Sequence, residues 1–126
     1  MPRGVEEKTA SAMLDTAIRR LIDVVDQETA SLRERKPIDL NLFNNRKSQG
    51  LLELDRALRL LDGADPGELT KTALRDLRQK LEMNRQVLDT HLEAVREVAA
   101  IIADAIRNVE SDGTYSVSFR SKDPEP

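Results

Sequence analysis

The chain has 126 residues, a formal net charge of -3 and no cysteine, so neither a disulfide framework nor thiol chemistry is expected. Charged residues make up 34% of it and aromatic residues 2%, which favours long helices with solvated outer faces over a compact mixed fold. Acidic and basic residues are interleaved, which argues against a nucleic-acid partner. With no signal peptide and no long apolar run, we expect a cytoplasmic protein without membrane insertion.

Two helices are predicted in the first half of the chain, at about residues 9–36 and 39–62. Both carry apolar residues spaced alternately by three and four, as in a heptad repeat. The seam of the first helix is Leu14, Ile18, Leu21, Val25, Glu28 and Leu32, and that of the second is Leu40, Phe43 or Asn44, Lys47, Leu51, Leu54, Leu58 and Leu61. Pro37 disfavours helix in the residue before it, and Asp39 suits the cap of the second helix.

The two helices are predicted to pair as an antiparallel hairpin. In that register the two polar seam residues, Glu28 and Lys47, fall opposite each other and form a register pair. The alternative is that both side chains extend to water, where such a pair contributes about 0 to 1 kcal/mol. Gly50 either admits a close neighbour or is a tolerated weak point.

A third helix is predicted over residues 66–109, longer than a globular core requires. Its seam is Leu74, Leu77, Leu81, Asn84, Leu88, His91, Val95, Val98, Ile102, Ala105 and Val109. Asp65 is expected to cap this helix, with Pro66 at the first position and Glu68 completing a capping box. The expected fold is an all-α antiparallel three-helix bundle, a single helical domain over residues 1–110.

The long helix is expected to overhang the hairpin from about residue 90, which leaves an apolar stripe without a partner in the chain. The predicted partner-binding residues are Leu92, Val95, Val98, Ala99, Ile102, Ala105, Ile106 and Val109. An amphipathic helix of a different protein or a second copy of this chain would fit such a stripe, the latter giving a homodimer.

Catalysis and metal binding find little support in the sequence. His91 is the only histidine, and Asp89 and Glu93 lie two residues away on other helix faces, so no metal site or cofactor is expected. A histidine phosphotransfer bundle using His91 is an alternative, although Leu92-Glu93-Ala94 lacks the Lys or Gly that such domains place soon after the histidine. Residues 111–126 are expected to be a flexible tail, with a turn at Asp112-Gly113.

Three short strings carry a family resemblance. They are Lys47-Ser48 before Leu51-Leu52, the segment from Asn84 to Leu92, and Asp112-Gly113 before Ser116-Val117-Ser118. Together with the helix pattern, they resemble the FlgN-type flagellar type III export chaperones. The first string is one residue longer than the family's, and two positions depart from the family pattern. Leu81 stands where an asparagine would complete the family's Asn-x-x-Asn spacing, and Val109 stands where the family has a tail tyrosine.

The resemblance implies a cytoplasmic, non-enzymatic chaperone of hook-filament junction proteins, which are also called hook-associated proteins. It would bind an amphipathic terminal helix of these clients and deliver them to the export gate or the export ATPase. In the family a tail tyrosine before Asp-Gly is associated with gate docking; here Val109 stands there, and Tyr115, after Gly113, is the candidate. The alternative function is a self-associating coiled-coil scaffold or adaptor.

Overall fold

The computed structural model describes the backbone of residues 3–116 and the side chains of residues 8–111. The described residues form three α-helices: α1 (Arg3–Arg33), α2 (Leu40–Leu61) and α3 (Glu68–Ser116). The all-α prediction is confirmed, and side chains from all three helices share one core as a helical bundle. The chain divides into two compact units, Met1–Leu88 and Asp89–Pro126.

Helix α1 differs from its predicted range of 9–36 at both ends. It begins at Arg3, because the residues that follow include good helix formers such as Glu6, Glu7 and Lys8. It ends at Arg33. The prediction, which took Pro37 as the stop, placed the end too late, because Arg35 has φ of 57° and takes the chain out of the helix before Lys36.

Helix α2 begins as predicted. Asp39 has extended backbone angles, and its side-chain oxygen accepts a hydrogen bond of 3.1 Å from the backbone amide of Leu42. This bond satisfies one of the free amides at the start of the helix. The helix ends at Leu61, where Asp62 takes a left-handed conformation with φ of 50° and closes the last turn.

Helix α3 begins at Glu68, so the predicted cap at Asp65 is wrong. Gly67 has φ of 94°, which takes the chain out of the helical region before the first turn. The Asp65 Oδ1 instead accepts a hydrogen bond of 2.9 Å from the Gly67 amide, and Lys71 donates its backbone amide to the Gly67 carbonyl. The Gly67 hydrogen bond, followed by the hydrogen bond and charge of Lys71, lowers the pKa of the Asp65 carboxyl.

The C-terminal end of α3 also lies later than the predicted 109. The helix continues through Asp112 and Gly113 to Ser116, so the expected turn is absent. A single glycine costs a helix only about 1 kcal/mol relative to alanine, which does not end it without a proline close behind. The first residues of the predicted flexible tail are therefore helical, and residues 117–126 lie outside the described part.

The core of the first unit is built around the predicted seam of α1. All six α1 seam residues are buried, namely Leu14, Ile18, Leu21, Val25, Glu28 and Leu32. The predicted seam of α2 is wrong at two positions, because Leu51 and Leu58 are 46% and 41% exposed. The buried residues of α2 are the small neighbours Gly50 and Ala57, together with Leu61.

Gly50 lies where α2 packs closely against α1. A Cβ atom at this position would lie 2.9 Å from the Cδ1 atom of Leu21, which is fully buried. That separation is shorter than a van der Waals contact, so any larger residue here would force the Leu21 side chain to shift within the core. The interpretation of Gly50 as a residue that admits a close neighbour is confirmed.

Helix α3 runs parallel to α1 within the first unit. Thr70 Oγ1 donates a hydrogen bond of 2.8 Å to Asp15 Oδ1, and Lys80 Nζ lies 3.2 Å from Asp26 Oδ2. Each α3 residue follows its α1 partner by about 55 positions, which requires the two helices to point the same way. Side chains of α3, including buried Leu77, complete the core.

Candidate functional site

Four polar side chains from all three helices meet inside the first unit. Lys47 Nζ of α2 lies 2.6 Å from Glu28 Oε1 of α1 and donates to Asn84 Oδ1 of α3 at 3.2 Å. Asn84 Nδ2 donates to Glu28 Oε1 at 3.0 Å and to Thr29 Oγ1 at 3.1 Å. These residues, Glu28, Thr29, Lys47 and Asn84, form a buried polar network that joins the three helices.

The Glu28–Lys47 contact was predicted from the heptad pattern and is confirmed. The Glu28 side chain is completely buried, and that of Lys47 is 15% exposed. The second carboxylate oxygen, Glu28 Oε2, is buried without a hydrogen-bond partner among the described residues. A buried carboxylate depends on its cation, because removal of one partner leaves an uncompensated charge in the core. A role for this pair in fixing the register of the hairpin stays a prediction.

Two members of the network were not predicted to join it. Asn84 occupies a seam position of α3, which indicated a buried polar residue without identifying its partners. Thr29 lies beside the α1 seam, so the heptad count carried no signal for it. The distances show why an asparagine suits this place: its amide donates to Glu28 and Thr29 while its carbonyl oxygen accepts from Lys47.

The second unit carries a continuous row of exposed apolar side chains on α3. We call the exposed apolar side chains between residues 92 and 109 the apolar stripe. Its large members are Leu92, Val95, Val98, Ile101, Ile102, Ile106 and Val109, with exposed fractions from 38% for Leu92 to 67% for Ile101. Ala99 and Ala105 are also exposed. All eight residues that the sequence predicted for partner binding therefore lie at the protein surface, on one helix.

Ile101 was left out of the predicted partner-binding set, although it is the most exposed large residue of the stripe. Heptad counting selected the central positions and one flank, whereas Ile101 lies on the other flank. Its apolar character between Ala100 and Ile102 was the available signal. The stripe thus includes both flanks of the seam.

The charged side chains between residues 92 and 109 lie on the face of α3 opposite the apolar stripe. They are Glu93, Arg96, Glu97, Asp104 and Arg107. Arg107 forms an ion pair with Asp104 three residues before it, on the outer face of the helix. The stripe itself has no charged side chain, and its interaction chemistry is therefore apolar.

His91 lies at the beginning of the second unit and is partly buried. Among residues 8–111, no group of three or more histidine, cysteine, aspartate or glutamate side chains could hold a metal ion. The described helices also include none that is long and apolar enough to cross a membrane. Tyr115 lies on the last turn of α3, and its side chain is outside the described residues.

Comparison with known proteins gives no match: no family model, no curated protein and no solved structure is significantly similar to this chain.

Proposed function

We propose that this protein is a cytoplasmic export chaperone of the FlgN type, which binds an amphipathic helical segment of hook-filament junction proteins. The observation that carries the proposal is the apolar stripe, because seven large apolar side chains are exposed together on one helix. Contiguous exposed apolar surface of this kind is typical of interaction sites. The resemblance of three short strings to the FlgN-type chaperones supports the choice of client.

Binding in this proposal works by shared burial. A client helix would lay its apolar face on the stripe, as in other helix-in-groove interfaces, and both apolar surfaces would leave water. Complete burial of one valine, leucine or isoleucine side chain contributes roughly 1.5 to 3 kcal/mol. Several such residues offset the cost of association, and the client helix is kept from aggregating until export.

The proposal assigns the protein no catalytic step. The stripe serves recognition of the client, and delivery to the export gate or the export ATPase requires a second contact, for which Tyr115 is the candidate residue. We expect His91 to have a structural role in α3 and not to accept a phosphoryl group.

A self-associating scaffold is the second candidate function, because the heptad spacing of the exposed stripe also suits another copy of the same helix. The two functions predict different behaviour of the purified protein. A chaperone alone stays monomeric or weakly associated over a concentration series in analytical ultracentrifugation, whereas a scaffold forms stable oligomers.

The direct test of the proposal is a titration of the full-length protein with hook-filament junction proteins and with their isolated terminal segments, measured by calorimetry. Saturable binding with a defined stoichiometry is the expected result. Absence of binding to every such protein from the same cell, with stable self-association, would replace the chaperone proposal with the scaffold.

A further inference from the structure

The first unit also carries an exposed apolar surface, an open groove between α2 and α3. Leucines from both helices form its floor, namely Leu54, Leu74, Leu77 and Leu81. Leu51 and Leu58 lie beside Leu54 on the same face of α2, and they are 46% and 41% exposed. We call this surface the α2–α3 groove. The packing of one chain therefore leaves two leucines of α2 only half covered at its edge.

The two sides of the α2–α3 groove carry opposite charges. On α2, Asp55 lies between the two exposed leucines on one helix face, because residues three and four apart are neighbours. On α3, Arg78 lies four residues after one floor leucine and three before the next. Arg78 is exposed, and no ion-pair partner of it lies among the described residues. Asp55 lies 2.9 Å from Arg59 of its own helix, an exposed pair that contributes little and can be exchanged.

A second copy of the chain matches this pattern of charge. Lys47 of α2 contacts Asn84 of the antiparallel α3, which puts Asp55 level with residue 76 and about 3 Å along the axis from Arg78. A twofold axis parallel to the helices sets α2 of each copy against α3 of the other at this same level. Asp55 of each copy then faces Arg78 of the other, and the leucines of both grooves meet as in an antiparallel four-helix bundle.

We infer that the α2–α3 groove is a weak twofold contact between two copies of this chain, with Asp55 of each copy paired to Arg78 of the other. Charge selects this arrangement, because a twofold axis perpendicular to the helices would set α2 against α2 and bring the Asp55 carboxylates together. The contact is weak because the leucines and charges extend over only about three helical turns, which is short for a stable dimer. It goes beyond the proposed function, since it uses no residue of the apolar stripe.

The test reverses one charge at a time and then mixes the variants. Asp55→Arg or Arg78→Asp alone brings like charges together at both contacts of a twofold dimer, whereas a mixture of the two variants restores opposite charges at both. Asp23→Arg makes the same charge change as Asp55→Arg at an exposed position of α1 and is the control. Analytical ultracentrifugation of the full-length proteins over a concentration series gives the Kd of the dimer, and circular dichroism verifies that the helix content is unchanged.

We expect the original protein to dimerise reversibly and each single reversal to raise the Kd of the dimer by at least ~10-fold. The equimolar mixture should return to within ~3-fold of the original Kd, and the control should stay within ~2-fold. A protein that is monomeric at every concentration would overturn the inference, as would reversals that leave the dimer intact or a mixture that stays monomeric. A dimer dispersed by Ile102→Asp with Ile106→Asp, and not by the charge reversals, would place self-association on the apolar stripe instead. Client titration decides the chaperone proposal separately.

Discussion

Replacement of Lys47 by methionine tests the buried polar network most sharply. Met keeps most of the volume of the lysine stem but removes the ammonium that lies 2.6 Å from Glu28 Oε1. Glu28 is fully buried, and its other oxygen already lacks a hydrogen-bond partner among the described residues. Breaking a buried ion pair in this way costs about 3 to 5 kcal/mol. Because the Lys47 side chain retains 15% exposure, we expect a loss near 3 kcal/mol.

Two further variants separate charge from packing. Glu28→Gln removes the carboxylate and leaves a cation that can reach water, so it costs less than Lys47→Met. The double variant Glu28→Gln with Lys47→Met holds no buried charge, and its network still contains Asn84 as a donor and an acceptor. It is expected to be more stable than Lys47→Met alone. Glu28→Lys brings two ammonium groups together and should cost more than Glu28→Gln.

The assay is equilibrium unfolding in urea, with the free energy of unfolding taken from the midpoint and the slope. An unchanged midpoint for Lys47→Met would contradict the dependence of the buried Glu28 carboxylate on its cation. A double variant less stable than Lys47→Met would show that the network stabilises the fold through packing and not through compensation of the buried carboxylate.

Three other outcomes follow from single positions. Gly50→Val places side-chain atoms against the buried Leu21 and should lower the free energy of unfolding by about 1 to 3 kcal/mol. An unchanged urea midpoint would contradict the close packing of α1 and α2 at this position. Asp39→Ala removes the cap of α2 and should cost about 1 kcal/mol in the same assay, whereas Asp39→Asn should cost little; equal losses would argue against capping. His91→Asn should leave client binding intact, and phosphorylation of His91 by a phosphodonor would instead favour the phosphotransfer alternative.

The sequence predicted the seam of α1 fully and that of α2 only in part, for a physical reason. In α1 the large apolar seam residues Leu14, Ile18, Leu21, Val25 and Leu32 are themselves buried, so the three-four spacing and the packing select the same face. In α2 leucine occurs at Leu51, Leu54 and Leu58, and the count followed these large residues. Packing follows volume as well as hydrophobicity, and the small residues Gly50 and Ala57 let the two helices approach while leucines beside them face water.

The sequence predicted where the candidate site lies on α3, but the predicted set left out the flank that contains Ile101. The heptad spacing and the run of apolar residues after residue 91 indicated the position of the stripe on α3. Ile101 was left out of the predicted partner-binding set because that set followed the central seam and only one of its two flanks. The start of α3 was misplaced for a different reason: the positive φ of Gly67 and the hydrogen bond that it donates to Asp65 are local features that a periodic pattern does not contain.

A double variant that carries both Ile102→Asp and Ile106→Asp tests the binding role of the apolar stripe, because its client binding and its folding can be measured on the same protein. Both residues are more than half exposed, so the charges should leave the urea midpoint nearly unchanged, whereas Leu21→Asp in the fully buried core should unfold the first unit. Loss of two buried isoleucines removes about 3 to 6 kcal/mol of client affinity, a factor of roughly 10² to 10⁴ in Kd. We expect a folded double variant that no longer binds its client; a folded double variant with unchanged Kd would place the binding site elsewhere on the protein.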